Sequence, residues 1–194
     1  MMRERMNETV VTGFTSPSPD TGSWDVRAGI AAQTDPDAFF ARAALFADQQ
    51  NEPTLYSVEL RSLDEGWVGA GLHLFVDEVR SRRGYGMGSS LLVWLTRDPE
   101  RRGVSQTHLQ VYRSDDDVNM ERVLEAAIPE GIGSNLQLEV LYEPQTQYIT
   151  VAINGEDKVR YRTWFGIDSS VEVALRSLGR AEFRDFTVQR ATER

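Results

Sequence analysis

Rings and hydrogen-bonding side chains recur two residues apart in three segments of this chain. They are Glu59 and Arg61, then His73 and Phe75, then His108, Gln110 and Tyr112. The residues that alternate with them are apolar: Tyr56, Val58 and Leu60; Val68, Ala70, Leu72 and Leu74; Leu109 and Val111. A period of two puts the apolar set on the buried face of a β-strand and the other set on the opposite face. If the three strands are neighbours, those opposite faces join into one patch. Trp94 stands amid Leu91, Leu92, Val93 and Leu95, so its face is ambiguous, and it is a further candidate. Aromatic rings beside bidentate donors and acceptors suit a sugar, whose C–H face stacks while its hydroxyls hydrogen-bond. The same composition suits a protein interface. A third reading is a second layer of packing beneath the chain's own loops.

Other chemistries find less support. His73 and His108 are the only histidines, and no Gly-x-Ser-x-Gly surrounds a serine, so no nucleophile triad is evident. There are no cysteines, which excludes disulfides and thiolate metal sites. Asp115-Asp116-Asp117-Val118-Asn119 has the opening of a calcium loop, but Met120 stands where that loop needs glycine and Ala126 where it needs glutamate. A calcium ion near Asp115 and Asp117 is the alternative to a plain solvated acidic turn, and no other cofactor is expected. The stretch from Asp77 to Ser90 carries Arg80, Arg82 and Arg83, followed by Gly84-Tyr85-Gly86-Met87-Gly88. No Gly-Lys-Ser/Thr follows it, so it is not a phosphate cradle. It reads as a mobile loop, or as a tip that shapes one end of a binding groove with Arg82 and Tyr85 as contacts. Trp24, Trp67 and Trp164 read as core or rim fillers, because large aromatics are mostly buried.

The elements that must position these residues are strands. Alternating runs fall near 24–33, 39–47, 54–62, 66–77, 90–97, 106–113, 119–127, 136–143, 147–154, 157–163, 170–177 and 181–190. Turn residues separate them: Asp64-Glu65-Gly66, Glu143-Pro144-Gln145-Thr146, Asn154-Gly155 and Ser177-Leu178-Gly179. This pattern predicts an all-β antiparallel sandwich and argues against an α/β enzyme. A short helix over 117–127 is the one helical alternative. Residues 1–22 are expected to be a flexible N-terminal segment, although Val10, Val11 and Phe14 could pair as an edge strand. Residues 23–190 form the β-sandwich domain, and 191–194 form a tail.

Composition sets outer bounds. A length of 194 residues suits one domain, and 40% hydrophobic residues are enough to fill its core. Mean hydropathy is -0.42 and no long apolar run occurs, so no membrane insertion is expected. The net charge of -9, from 21 basic and 30 acidic residues, repels phosphate backbones, so nucleic acid is not an expected partner. Lys158 is the only lysine; the other basic residues are arginines, whose planar forks suit carboxylates and sugar hydroxyls. Met1 to Pro19 is polar throughout, so the chain as written reads as cytoplasmic, or as extracytoplasmic if a signal peptide has been removed.

Three stretches carry a resemblance. Tyr56 to Arg61 followed by Gly69 to Phe75 resemble the central strands of concanavalin A-like jelly rolls. Tyr148 to Gly155 (YITVAING) is similar to the hairpin of laminin-G-type domains, and Val173 to Val188, with its glycine turn and Phe183-x-x-Phe186, to their closing strand pair. The resemblance implies two curved sheets, with sugar or protein ligands on the concave sheet or its rim, and in laminin-G-type domains a rim calcium. Glycosidases of this superfamily carry Glu-x-Asp-x-x-Glu on one strand; Glu59 with Asp64 and Glu65 is the nearest counterpart, and its spacing fails. The sequence therefore points to a non-catalytic module. Carbohydrate recognition leads, with an adhesive protein-binding module and a glycan-active hydrolase built on Glu59 as alternatives. The expected contacts are Glu59, Arg61, His73, Phe75, Trp94, His108, Gln110, Tyr112, Arg82 and Tyr85.

Overall fold

The computed structural model describes residues 6–14, 18–49, 51–76, 85–102, 105–163 and 170–191. Its fifteen strands build two antiparallel sheets. The first has the order β13 (Glu156–Arg162), β12 (Tyr148–Ile153), β11 (Leu136–Glu143), β6 (Thr54–Ser62), β15 (Ala181–Ala191), β4 (Ile30–Gln33), β3 (Trp24–Arg27). Along β15, β4 pairs with its first half and β1 (Met6–Thr12) with its second. The second sheet has the order β10 (Met120–Ile128), β9 (Thr107–Ser114), β8 (Ser90–Arg97), β7 (Val68–Val76), β14 (Ser170–Leu178), β5 (Ala41–Gln49), β2 (Ser18–Thr21). The one helix among the described residues is a single turn, α1 (Pro99–Arg102).

Period-two alternation works as expected in most strands. Tyr56, Val58 and Leu60 of the first sheet meet Leu72, Leu74, Val93 and Leu95 of the second in one core. Burial of each such side chain contributes about 1.5–3 kcal/mol. Asn154 (φ 52°) and Gly155 (φ 80°) take the two left-handed positions of the β12–β13 hairpin, as that tight turn requires. The chain passes from one sheet to the other between β6 and β7 and returns between β14 and β15. Asp64 ties the two passages together, accepting hydrogen bonds from the Arg180 backbone N (2.6 Å) and from Arg180 Nε (2.7 Å). Burial alone would raise the Asp64 pKa, but the Arg180 donors hold it below the usual carboxylate range.

Several features depart from the sequence reading or decide between its alternatives. Phe75 does not face outward: a bulge between β7 and β14, with φ 61° at Phe75, turns its ring into the core against Tyr56 and Tyr142. Residues 120–128 pair with β9 as the strand expected near 119–127, and the helical alternative over 117–127 is not adopted. Within 1–22, β1 and β2 are paired to β15 and β5. Finally, β7 is buried along its whole length on both faces and β8 at every position but Arg97, whereas β15 and the Val58–Ser62 end of β6 alternate. The second sheet thus carries an additional layer on its outer face. Arg80, Arg82, Arg83 and Trp164 lie outside the described residues.

Candidate functional site

The outer layer begins with two glycines. Gly69 and Gly71 lie on the outer face of β7, and the Trp94 side chain from β8 occupies the volume their side chains would fill. A Cβ on Gly69 would sit 2.6 Å from Trp94 Cζ3, and one on Gly71 would collide with Trp94 Cβ and the Val93 carbonyl oxygen. The indole therefore lies flat across the sheet and is only 2% exposed. Phe40 stacks on it at 5.1 Å and 25°, and Tyr112 meets it edge-on at 6.3 Å. These rings, with Leu92, Leu178, Trp67 and Met120, form a hydrophobic cluster separate from the main core.

Beside this cluster the face opens into a cavity of about 400 Å³. Its walls are Phe40, Trp67, Trp94 and Tyr112 on the aromatic side, and Thr96, Asp98, His108, Gln110 and Arg122 on the polar side. A polar chain runs under it. Trp94 Nε1 and Tyr112 OH each donate to Gln110 Oε1 at 3.1 Å, and Gln110 Nε2 donates to Glu125 Oε2 at 2.8 Å. This sets the amide orientation, since two donors reach its oxygen and a carboxylate reaches its nitrogen. Arg122 Nη1 lies 2.8 Å from Glu125 Oε2, and His108 Nδ1 lies 3.3 Å from Glu125 Oε1. The site can therefore offer ring faces and hydroxyl-binding polar groups on one sheet face.

A second polar group lies behind the rings. Arg176 Nη1 donates to His73 Nδ1 (3.0 Å) and to the Tyr85 carbonyl (3.2 Å), and its guanidinium carbon sits 5.7 Å from the centre of the Phe40 ring. Arginine only donates, so His73 Nδ1 must be the acceptor. His73 is then neutral, with its proton on Nε2, which donates to Ser90 Oγ at 2.7 Å. Burial above all, then the Arg176 and Arg42 charges, hold the His73 pKa well below its ordinary value. Burial and the neighbouring Arg42 push Arg176 down to about 9. Arg42 and Arg176 are directly opposed across β5 and β14.

The acidic turn seats the segment that carries Tyr85. Asp115 pairs with Arg113 (3.0 Å), Asp116 Oδ1 accepts the Val118 and Asn119 backbone N–H groups, and Asp117 Oδ1 accepts the Gly88 N–H (3.2 Å). The three carboxylates thus turn to different partners. Among the described residues no group of three or more His, Asp and Glu side chains is placed to hold a metal ion. Tyr85 N donates to Val118 O (3.1 Å) and Met87 N to Ser114 Oγ (3.1 Å), so the Tyr85 segment is pinned to this turn.

Of the sequence-derived candidates, Trp94, His108, Gln110 and Tyr112 gather around the cavity, and Tyr85 stands at its rim against Phe40 (5.0 Å). His73 shares their face but is fully buried. Phe75 is in the core. Glu59 and Arg61 are on the outward face of β6, in the opposite sheet, where Arg61 Nη2 pairs with Glu182 at 2.7 Å. Periodicity reads which face a side chain takes, not which sheet the strand joins. Phe40, Asp98, Arg122 and Glu125 escaped the sequence reading. Phe40 is aimed by a left-handed backbone (φ 53°), and Arg122 by a register shift in β10. Trp67, expected as a filler, was the one signal available.

Two expectations follow. Gly71→Ala should destabilise the fold by about 1–3 kcal/mol through overpacking and should shift the tryptophan emission as the indole is displaced; a silent substitution would refute the flat seating of Trp94. An unfolded histidine gains its proton near pH 6.5, whereas folded His73 resists it, so its contribution is complete above about pH 6.5 and is lost as pH falls from there toward the lower folded value. Melting temperature should therefore begin to drop below about pH 6.5, before carboxylates titrate near pH 4, and His73→Gln should flatten that part of the curve.

No family model matches the chain, and no curated protein matches it in sequence. Solved structures do. Carbohydrate-binding module CBM66 from Bacillus subtilis superposes with a TM-score of 0.66 at 10% identity, over 91% of this chain and 96% of that one. The carbohydrate recognition domain of Emp47p gives 0.61 at 10% identity, over 88% and 87%. The laminarinase from Rhodothermus marinus gives 0.62 at 10% identity, over 94% of each. At such identities the likeness is one of fold, and the fold is the concanavalin A-like jelly-roll sandwich.

Proposed function

We propose that this protein is a non-catalytic carbohydrate-binding module that holds a neutral sugar in the cavity on the outer face of its second sheet. The observation that carries the reading is the division of that cavity into an aromatic wall (Phe40, Trp67, Tyr112) and a polar wall (Asp98, His108, Gln110, Arg122). A sugar has the same division between its C–H faces and its hydroxyls. The fold is shared with proteins whose names are a carbohydrate-binding module and a carbohydrate recognition domain, and also with a laminarinase. Chemistry supports binding over hydrolysis. Glycoside hydrolysis takes two carboxylates flanking the scissile bond. Asp98 is the one carboxylate among the residues lining the cavity, and both Glu125 oxygens are engaged by Gln110, His108 and Arg122. Glu59 lies on the opposite sheet.

The stacking role falls to Trp67 and Tyr112 rather than Trp94, which is covered by Phe40. Titration of the protein against an array of neutral oligosaccharides should give saturable binding. Trp67→Ala and Tyr112→Ala should each weaken it about tenfold, measured at a temperature where each variant remains folded. Absence of binding to every glycan, or release of shorter sugars during incubation, would overturn the proposal.

A further inference from the structure

Next to the cavity is a second group of rings. Phe39 is 50% exposed and Tyr85 45% exposed, unusual for side chains of this size. Phe39 stands edge-on to Phe40 (4.9 Å), Trp67 (5.7 Å) and Tyr85 (5.8 Å). Phe40 and Trp67 also line the cavity, so the shelf and the cavity share a wall. Phe40 already covers the buried indole. Phe39 and Tyr85 sit outside it with about half of each side chain in solvent.

The shelf is held at a cost. Phe40 keeps a left-handed backbone that a bulky residue adopts only when its surroundings force it. Arg176, 1% exposed, is committed to the Tyr85 carbonyl and the underside of Phe40, with His73 kept neutral to receive its other hydrogen bond. Strain and a buried cation are poor ways to gain stability, and they cluster where geometry serves a ligand.

We infer that Phe39 and Tyr85 form a second sugar-stacking subsite, so that the ligand is a linear neutral glycan of several units rather than a single sugar. This rests on the carbohydrate reading above. Among the described residues the shelf consists of the Phe39 ring and the Tyr85 phenol, both uncharged, which matches the C–H face of the next sugar in a chain rather than a charged polypeptide. The cavity then orients one unit by its hydroxyls, and the shelf adds affinity by contact area alone. Arg176 is a positioning residue in this arrangement.

The test uses an array carrying the monosaccharide, disaccharide and hexasaccharide of each common neutral linkage. The unmodified protein should bind the disaccharide and hexasaccharide of its preferred linkage about fivefold or more tighter than the monosaccharide. Phe39→Ala and Tyr85→Ala, both at exposed positions, should remove that difference and leave monosaccharide binding unchanged. Arg176→Met should also reduce the difference, and Arg176→Lys should restore part of it. Equal binding of short and long chains by the unmodified protein, or full length dependence in both alanine variants, overturns the shelf while leaving the cavity reading intact. Failure of every glycan to bind at any length overturns the cavity reading itself.

Discussion

The outer face of the second sheet depends on the absence of two side chains. Only glycine at 69 and 71 lets the Trp94 indole lie on β7 instead of standing off it. Glycine in a strand interior is ordinarily a weakness, costing backbone entropy and offering nothing to pack. Here the neighbouring indole supplies the missing packing across the strand pair. The exchange buries β7 and β8 on both faces and levels the sheet centre with rings. Phe40 can then stack on the indole, and the indole N–H is aimed sideways at Gln110, which relays to Glu125 and through it to Arg122 and His108. One steric permission on β7 thus organises both walls of the cavity.

Behind the rings the balance of energies is different. Arg42 and Arg176 are both nearly fully buried, and they face each other across neighbouring strands. Burying like charges side by side opposes folding. His73 serves this region by accepting from Arg176 while remaining uncharged, so it adds a hydrogen bond without a third positive charge. Ser90 then passes the hydrogen-bond chain to the Gly88 carbonyl at 3.4 Å, joining β7, β14 and the Tyr85–Gly88 segment. An apolar filling of the same space would make a more stable sheet and a less fixed rim.

Much of this was legible in the amino-acid order and part was not, for definable reasons. The strands and their buried faces were legible because period two survives wherever one face is wet and the other dry. His108, Gln110 and Tyr112 were correctly grouped because β9 keeps that alternation. Phe75 escaped because one left-handed residue reverses parity and leaves no mark in composition. Glu59 and Arg61 were placed with the wrong partners because β6 and β7, joined by a short turn, belong to different sheets. Arg122 and Glu125 were hidden by the β10 register shift, which breaks the pattern that would have revealed them. Phe40 sits in a turn, where no periodicity applies.

The two outer faces of the sandwich differ in how their polar groups are used. On the first sheet, Arg61 and Arg184 both reach Glu182, at 2.7 and 2.9 Å, and such half-exposed pairs contribute little beyond solubility. Those charges neutralise one another, and on the same sheet the Arg160 guanidinium lies over the Tyr148 ring at 4.2 Å. On the second sheet Arg122 pairs with Glu125 and His108 lies against the same carboxylate, beneath and beside open ring surface. Pairing removes their long-range field and leaves their directional hydrogen bonds. A surface of net charge -9 repels polyanions at a distance, so the proposed neutral ligand is met by short-range contacts alone.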